Sequence, residues 1–217
     1  MCQATKYILL ILIFLSIANT GFAQRDWEYW TQESFSIPIK EGINLLVLPE
    51  WKFKDDMHDI YQFKLENGIS FKVNDYFDIT PYYVYQEKKS RNMWDRSDLV
   101  YLDGTFKVPL KNFFNLKFSN RLRYQYDFDK AKTTWRNTVK ISKALKAGKL
   151  DVEPYFSEEP FYDAKLNRIT EHRTTVGINC PISKNISLAV GYMLDSKKGG
   201  AKWSYANVLA SNLNIKF

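Results

Sequence analysis

The sequence predicts an all-β fold, a transmembrane antiparallel up-and-down β-barrel of ten to twelve strands with short periplasmic turns and longer extracellular loops. Three observations predict it. Large apolar residues recur at every second position over long segments. Those segments run for ten to sixteen residues, longer than the five or six of a soluble strand and long enough for a tilted bilayer span of about 9–11 residues. The apolar faces carry almost no charge, while the faces between them are densely charged.

The clearest segment is FFNLKFSNRLRYQYDF, Phe113 to Phe128. Phe114, Leu116, Phe118, Leu122, Tyr124, Tyr126 and Phe128 alternate with Asn115, Lys117, Ser119, Arg121, Arg123, Gln125 and Asp127, and Asn120 alone interrupts the apolar series. Alternation by itself fits two wirings, because a soluble sheet buries its apolar face and a membrane barrel turns that face to lipid. Cost decides between them. Turning this strand over in a bilayer would expose Lys117, Arg121 and Arg123 to hydrocarbon, at ~2–4 kcal/mol for each cation near the midplane.

The strands follow in order at roughly 27–38, 43–53, 59–73, 76–87, 95–108, 113–128, 132–145, 149–158, 167–180, 185–195 and 202–217. Tyr61, Phe63, Leu65, Ile69, Phe71 and Val73 form one outward face. Phe77, Ile79, Pro81, Tyr83 and Tyr85 form the next, and Trp203, Tyr205, Leu209, Leu213, Ile215 and Phe217 form the last. Tight turns fall at Lys40–Gly42, Asn74–Asp75, Pro109–Asn112, Lys146–Gly148 and Pro181–Lys184. Longer polar connections fall near Lys54–His58, Lys88–Asp95, Asp129–Lys132, Glu158–Leu166 and Ser196–Ala201. Eleven strands result, whereas single-chain bacterial barrels have even numbers. Ten or twelve is therefore the expected count, with the discrepancy placed near 24–53 or 88–110.

All six Trp residues, including Trp27, Trp30, Trp51, Trp94, Trp135 and Trp203, sort to the long-loop ends, and Phe71, Phe77, Phe106, Phe113, Phe114 and Phe217 to the short-turn ends. Indole and phenol rings favour the wet edge of a bilayer, so Trp27, Trp51, Trp94, Trp135, Trp203 and Phe217 are expected as membrane-interface aromatics.

The first residues read as a secretory signal peptide over 1–23. Lys6 precedes an apolar run from Tyr7 to Ala18, and Gly21 and Ala23 stand before a cut that leaves Gln24 first. Residues 24–217 then form a single barrel domain, exported to the bacterial outer membrane. No Cys stands at the cut, which argues against a lipid anchor, and Cys180 is left without a partner for a disulfide. Lys6 leaves with the signal, so 30 of the 31 basic side chains remain against 24 acidic ones, a net of +6. That sign would raise nucleic acid as a partner in the cytosol. Here the cations alternate with aromatics along strands, and export removes the partner, so none is expected.

The inward faces carry the candidate site. Lys64, Glu66, Lys117, Arg121, Arg123, Asp127, Arg136, Lys140, Asp151, Glu153, Glu171 and Arg173 are expected to form a lumen charge network. Expected pairings set the Arg121/Arg123 strand against Arg136, and the Glu171/Arg173 strand against Asp151/Glu153. In a barrel this narrow the network either fills the bore or lines a path for a small solute.

The runs SNRLRYQYDF (119–128), WRNTVKISKALKAGKLDVEPYFSEEPFYD (135–163) and LNRITEHRTTVGINCPISKNISLAVGYML (166–194) resemble an uncharacterised bacterial family, domain of unknown function 2490. A final strand ending in Phe217 resembles the assembly signal of outer-membrane barrels. The resemblance implies outer-membrane lipid and the barrel-assembly machinery as partners. It implies no catalytic residue, metal or cofactor.

Two rival classes stay open at this level. One is a soluble exported lipocalin-like barrel with the apolar face inward around a greasy ligand. The other is an outer-membrane lipid-modifying enzyme, for which His172 and Thr174 share the outward face without a visible acid partner, and His58 lies in a loop. Two His and one Cys supply no metal-ligand spacing.

Overall fold

A computed structural model of the chain describes residues 27–90, 93–110, 114–148 and 150–217. The expected signal peptide, the cut before Gln24, and Phe113 with most of its turn lie outside the described residues. The strands are β1 (Trp27–Lys40), β2 (Ile43–Lys54), β3 (Asp59–Lys72), β4 (Phe77–Ser90), β5 (Met93–Leu110), β6 (Leu116–Asp127), β7 (Lys132–Lys143), β8 (Leu145–Ala147), β9 (Leu150–Asp163), β10 (Arg168–Pro181), β11 (Ile186–Gly199) and β12 (Lys202–Lys216). Neighbours in sequence pair antiparallel, and β9 pairs with β10 to carry the sheet round to a closed barrel. The three-residue β8 resumes the line of β7 after Ala144 and pairs with the start of β9, so the two make one stave.

Among the described residues the barrel thus has eleven staves, and the expectation of ten or twelve is corrected. An even count follows only if the first and last strands run in opposite directions. Here β1 and β12 run the same way and close the barrel with a parallel ladder, from Trp27 opposite Asn207 to Ser36 opposite Lys216. Its slanted bonds satisfy both edges as an antiparallel seam would. Both strands begin at one end of the barrel, here the Trp27 end, and finish at the other, the Phe217 end.

The wiring is inside out. Along β6, Leu122 is 45% exposed and the adjoining Arg123 only 3%. Exposed Ile69, Phe106, Ile141, Ile178 and Leu209 continue the apolar exterior around the barrel. A lipocalin-like arrangement needs the reverse. Asn120, which breaks the apolar series of β6, donates to Asn137 Oδ1 on β7 at 2.7 Å, so two outward amides satisfy each other.

Connections are two to five residues long at both ends, which differs from the long polar loops expected at one of them. The polar length is present as paired strand instead. At the β4–β5 hairpin the ladder continues to Ser90 opposite Met93, and its outward residues there are Glu87, Arg96 and Asp98. Arg96 and Tyr83 both bind Asp98, at 3.1 and 2.6 Å. This hairpin therefore projects past the apolar band. At the other end a two-residue link turns at Gly42, whose φ of +74° suits a residue without Cβ. Asp75, in the β3–β4 link, is held below the usual carboxylate range by a hydrogen bond from Lys72 and by that cation's charge.

Candidate functional site

Inward-pointing side chains line the barrel with a belt of ion pairs and rings. On β2 and β3, Lys64 Nζ lies 3.0 Å from Glu50 and 2.7 Å from Glu66. Glu66 then meets Arg123 Nη2 at 3.2 Å, a contact that reaches over β4 and β5 from β3 to β6. Arg123 forks onto Asp103 of β5, while its guanidinium lies over Tyr101 at 4.4 Å. Arg121 and Arg136 both reach Glu159 on β9, each at 3.0 Å, and Thr138 donates to the same carboxylate. Arg173 joins Glu159 at 3.5 Å, Glu171 at 2.5 Å and Asp195 at 3.5 Å. It also lies over Trp30 of β1 at 4.7 Å, a second contact that reaches over two intervening strands, β11 and β12. Lys52 sits 3.4 Å from the same indole and closes the belt on β2.

Two small apolar clusters share this interior. Trp30, Met193 and Val208 pack together with Ala206, and Val84, Leu99 and Tyr101 pack with Tyr82. Glycine makes room for the lumen rings. A Cβ on Gly68 would stand 2.4 Å from the Tyr82 ring, and one on Gly177 would stand 2.6 Å from that of Tyr155. Each glycine is directly opposite its tyrosine in the ladder.

The twelve residues read from the sequence divide. Lys64, Glu66, Arg121, Arg123, Arg136, Glu171 and Arg173 meet in the belt. Lys117 pairs with Glu153 at 3.0 Å nearer the Phe217 end. Lys140 lies 4.0 Å from the Tyr155 ring centre. Asp127 pairs with Lys130 at 3.2 Å at the Trp27 end, and Asp151 is exposed, 4.0 Å from Lys146. Of the expected pairings, the Arg121/Arg123 strand does lie against Arg136, and that of Glu171/Arg173 with Asp151/Glu153 is corrected. Arg123 stands directly opposite Arg136, and acids from β3, β5 and β9 separate the two cations. Glu171 and Arg173 face Phe161 and Glu159, because β10 pairs further along β9 than Asp151 or Glu153.

Glu50, Lys52, Asp103, Glu159 and Lys197 were not legible as belt members. Glu159 sits before Pro160 in a run that reads as a loop, yet β9 continues through both. Glu50 and Lys52 follow INLLVL, where inward Leu46 and Leu48 hide the alternation. The signal available for Asp103 was its place two residues after Tyr101 and four after Leu99.

Local backbone geometry overrides the alternation at Tyr61. The β2–β3 register shifts between Lys52 and Phe53, a bulge that turns both Tyr61 and Gln62 inward. Tyr61 and the Trp30 indole both donate to Glu28, at 2.6 and 2.7 Å. Trp30 is therefore a lumen residue, 6% exposed, and not an interface one. Trp27, Trp51, Trp94, Trp135 and Trp203 occupy outward positions, as does Phe217 at the opposite end. Trp94 lies beyond Arg96, toward the tip of the β4–β5 hairpin.

The outward wall holds one cluster that the sequence left incomplete. Glu158, read as loop, is an outward residue of β9. His172 Nε2 lies 2.8 Å from its Oε2, and the Thr174 hydroxyl donates to the same oxygen at 3.2 Å. The acid stands between the two, so the hydroxyl is bonded to the carboxylate and not to the imidazole that would have to activate it. Among the described residues no three His, Cys, Asp or Glu side chains converge as a metal set.

A closed sheet with an apolar exterior and an interior packed with ion pairs defines a transmembrane β-barrel. The chain belongs to the family described as Protein of unknown function (DUF2490), whose model matches residues 27–206. Among solved structures it is similar to an anion-selective porin from Comamonas acidovorans, at 16% identity over 81% of this chain and 54% of that one, with a TM-score of 0.40. It is also similar to the siderophore receptor PirA from Pseudomonas aeruginosa, at 15% identity over 79% of this chain and 34% of that one, with a TM-score of 0.26. The chain thus spans about half of the first and a third of the second. No curated protein matches it.

Proposed function

We propose that this protein is an integral outer-membrane barrel whose bore is sealed by its ion-pair belt, with a structural and non-catalytic role. The observation that carries the reading is the pair of long-reach contacts in the belt, Arg123 to Glu66 over β4 and β5 and Arg173 to Trp30 over β11 and β12. Each contact spans two intervening staves of eleven, so the belt projects well into the bore and narrows the aqueous column. The belt is nearly balanced in sign, and a buried charge is tolerable only when paired and hydrogen-bonded.

The outward aromatics Trp27, Trp51, Trp135 and Trp203 support an anchoring role at one membrane interface, with Phe217 at the other. In this reading the Phe217 end faces the periplasm, and the terminal strand is what the barrel-assembly machinery binds. The signal peptide over 1–23 routes the chain there. The test is single-channel recording of the refolded protein in planar bilayers, alongside cell fractionation. Silence in the bilayer, recovery with outer membranes and faster gel migration when unheated are expected. Steady unitary openings would overturn the sealed bore, and release with periplasmic contents would overturn the location.

A further inference from the structure

Above the belt, at the Trp27 end, the lumen widens into a cavity of about 260 Å³. Eight Lys or Arg side chains line it, against two carboxylates, Asp127 and Glu171. The acids that balance the belt, Glu50, Glu66, Glu159 and Asp195, are not among the lining residues, so the cavity meets the cationic side of the belt. Lys88 on β4 projects into it and forms no ion pair among the described residues. Arg136 in the wall spends both bonds of one terminal nitrogen on Glu159, and its Nε–H is buried without an acceptor. Rings hold these cations in place: Arg136 lies 4.4 Å from the Phe161 ring centre.

We propose that this vestibule binds a small, soluble, polyvalent oxyanion of phosphate chemistry. Clustered Lys and Arg donors around a cleft with low-dielectric walls focus a positive potential on such a ligand, and the planar guanidinium matches its oxygens. Seven of the eight lining cations each have a carboxylate within 3.5 Å, so Lys88 is the cation left to form a new ion pair, and the preference for a polyvalent ligand comes from the summed positive field of the lining. A lipid headgroup is disfavoured because the barrel wall stands between the cavity and the hydrocarbon. The proposal goes beyond a sealed barrel and depends only on the inward placement of these cations.

The test is calorimetric titration of the refolded full chain in detergent micelles with inorganic pyrophosphate at low ionic strength. Saturable binding near one equivalent is expected, weakening steeply with added sodium chloride. Lys88→Gln should weaken it about fivefold, while Lys88→Arg, which keeps the charge, should retain it. Unheated gel migration verifies that each variant is folded. The proposal is overturned by heats that never saturate, by equal affinity in Lys88→Gln, or by displacement with micellar phosphatidic acid but not with glucose 6-phosphate. A barrel that conducts yet binds pyrophosphate would sink the sealed bore and leave the vestibule standing.

Discussion

Arg123 on β6 grips Asp103 on β5 through two hydrogen bonds, Nε to Oδ1 at 2.6 Å and Nη2 to Oδ2 at 2.8 Å, with both side chains only 3% exposed. The two residues are directly opposite in the ladder. The same guanidinium meets Glu66 of β3 over the intervening β4 and β5, so one cation bridges two buried carboxylates, and Lys64 shares Glu66 with it.

Truncating that cation leaves, among the described residues, buried Asp103 with only Arg121, at 3.9 Å, and buried Glu66 with only Lys64. Arg123→Ala is expected to destabilise the barrel by about 3–5 kcal/mol, measured by denaturant unfolding in micelles or vesicles. Arg123→Lys should recover only part of the loss, because an ammonium cannot reproduce the two-pronged contact. Arg123→Ala should also give current steps in bilayers where the natural protein is silent. An unchanged midpoint and continued silence would show that the belt neither holds nor seals the barrel.

Leu122, next to Arg123, reads the other side of the wall. Leu122→Arg puts a cation in hydrocarbon near the middle of β6 and should cost ~2–4 kcal/mol for folding into lipid. The change should be much smaller in urea titrations of the protein in loosely packed short-chain detergent, where water reaches the surface. Equal costs in both media would argue against a lipid-facing position.

Gly68 and Tyr82 should behave as one unit. Gly68→Ala sets a methyl 2.4 Å from a Tyr82 ring carbon and 3.0 Å from the Pro81 carbonyl oxygen, so the ring must move off the wall. Overpacking of this kind costs ~1–3 kcal/mol. Tyr82→Ala removes the obstacle, and the double variant should therefore lose less than the two single losses together. Strict additivity in that cycle would mean the close approach is unimportant.

Glu33 lies on the outward face halfway along β1. Its Oε1 accepts from the Thr31 hydroxyl at 3.5 Å, and its Oε2 is buried without a partner. Glu33→Leu exchanges an unsatisfied carboxylate for a lipid-compatible side chain and should stabilise the barrel by about 1 kcal/mol, read as a higher unfolding midpoint. A lower midpoint would mean that the carboxylate has an interaction worth more than its desolvation.

Parts of the belt were legible because a strand repeats every two residues whatever surrounds it. Lys64 and Glu66, or Arg121 and Arg123, had to share a face with each other and oppose Leu65 or Leu122. Partnership was not legible in the same way. The companion of Arg123 depends on hairpin register for Asp103 and on barrel curvature for Glu66, which lies 57 residues away in the chain. Tyr61 escaped for a different reason: a one-residue bulge reverses facing without changing composition. Trp30 escaped because an indole is equally at home beside lipid or beneath a guanidinium.

The sequence by itself determined the all-β class, the approximate strands and the inside-out wiring. These follow from local periodicity and from the cost of placing a cation in hydrocarbon. The tertiary structure alone decided the parallel seam between β1 and β12, the inward turn of Tyr61 and Trp30, and the belt contacts that join β3 to β6 and β10 to β1. Those are relations between strands, and no two-residue period encodes how a sheet curls or where its last edge meets its first.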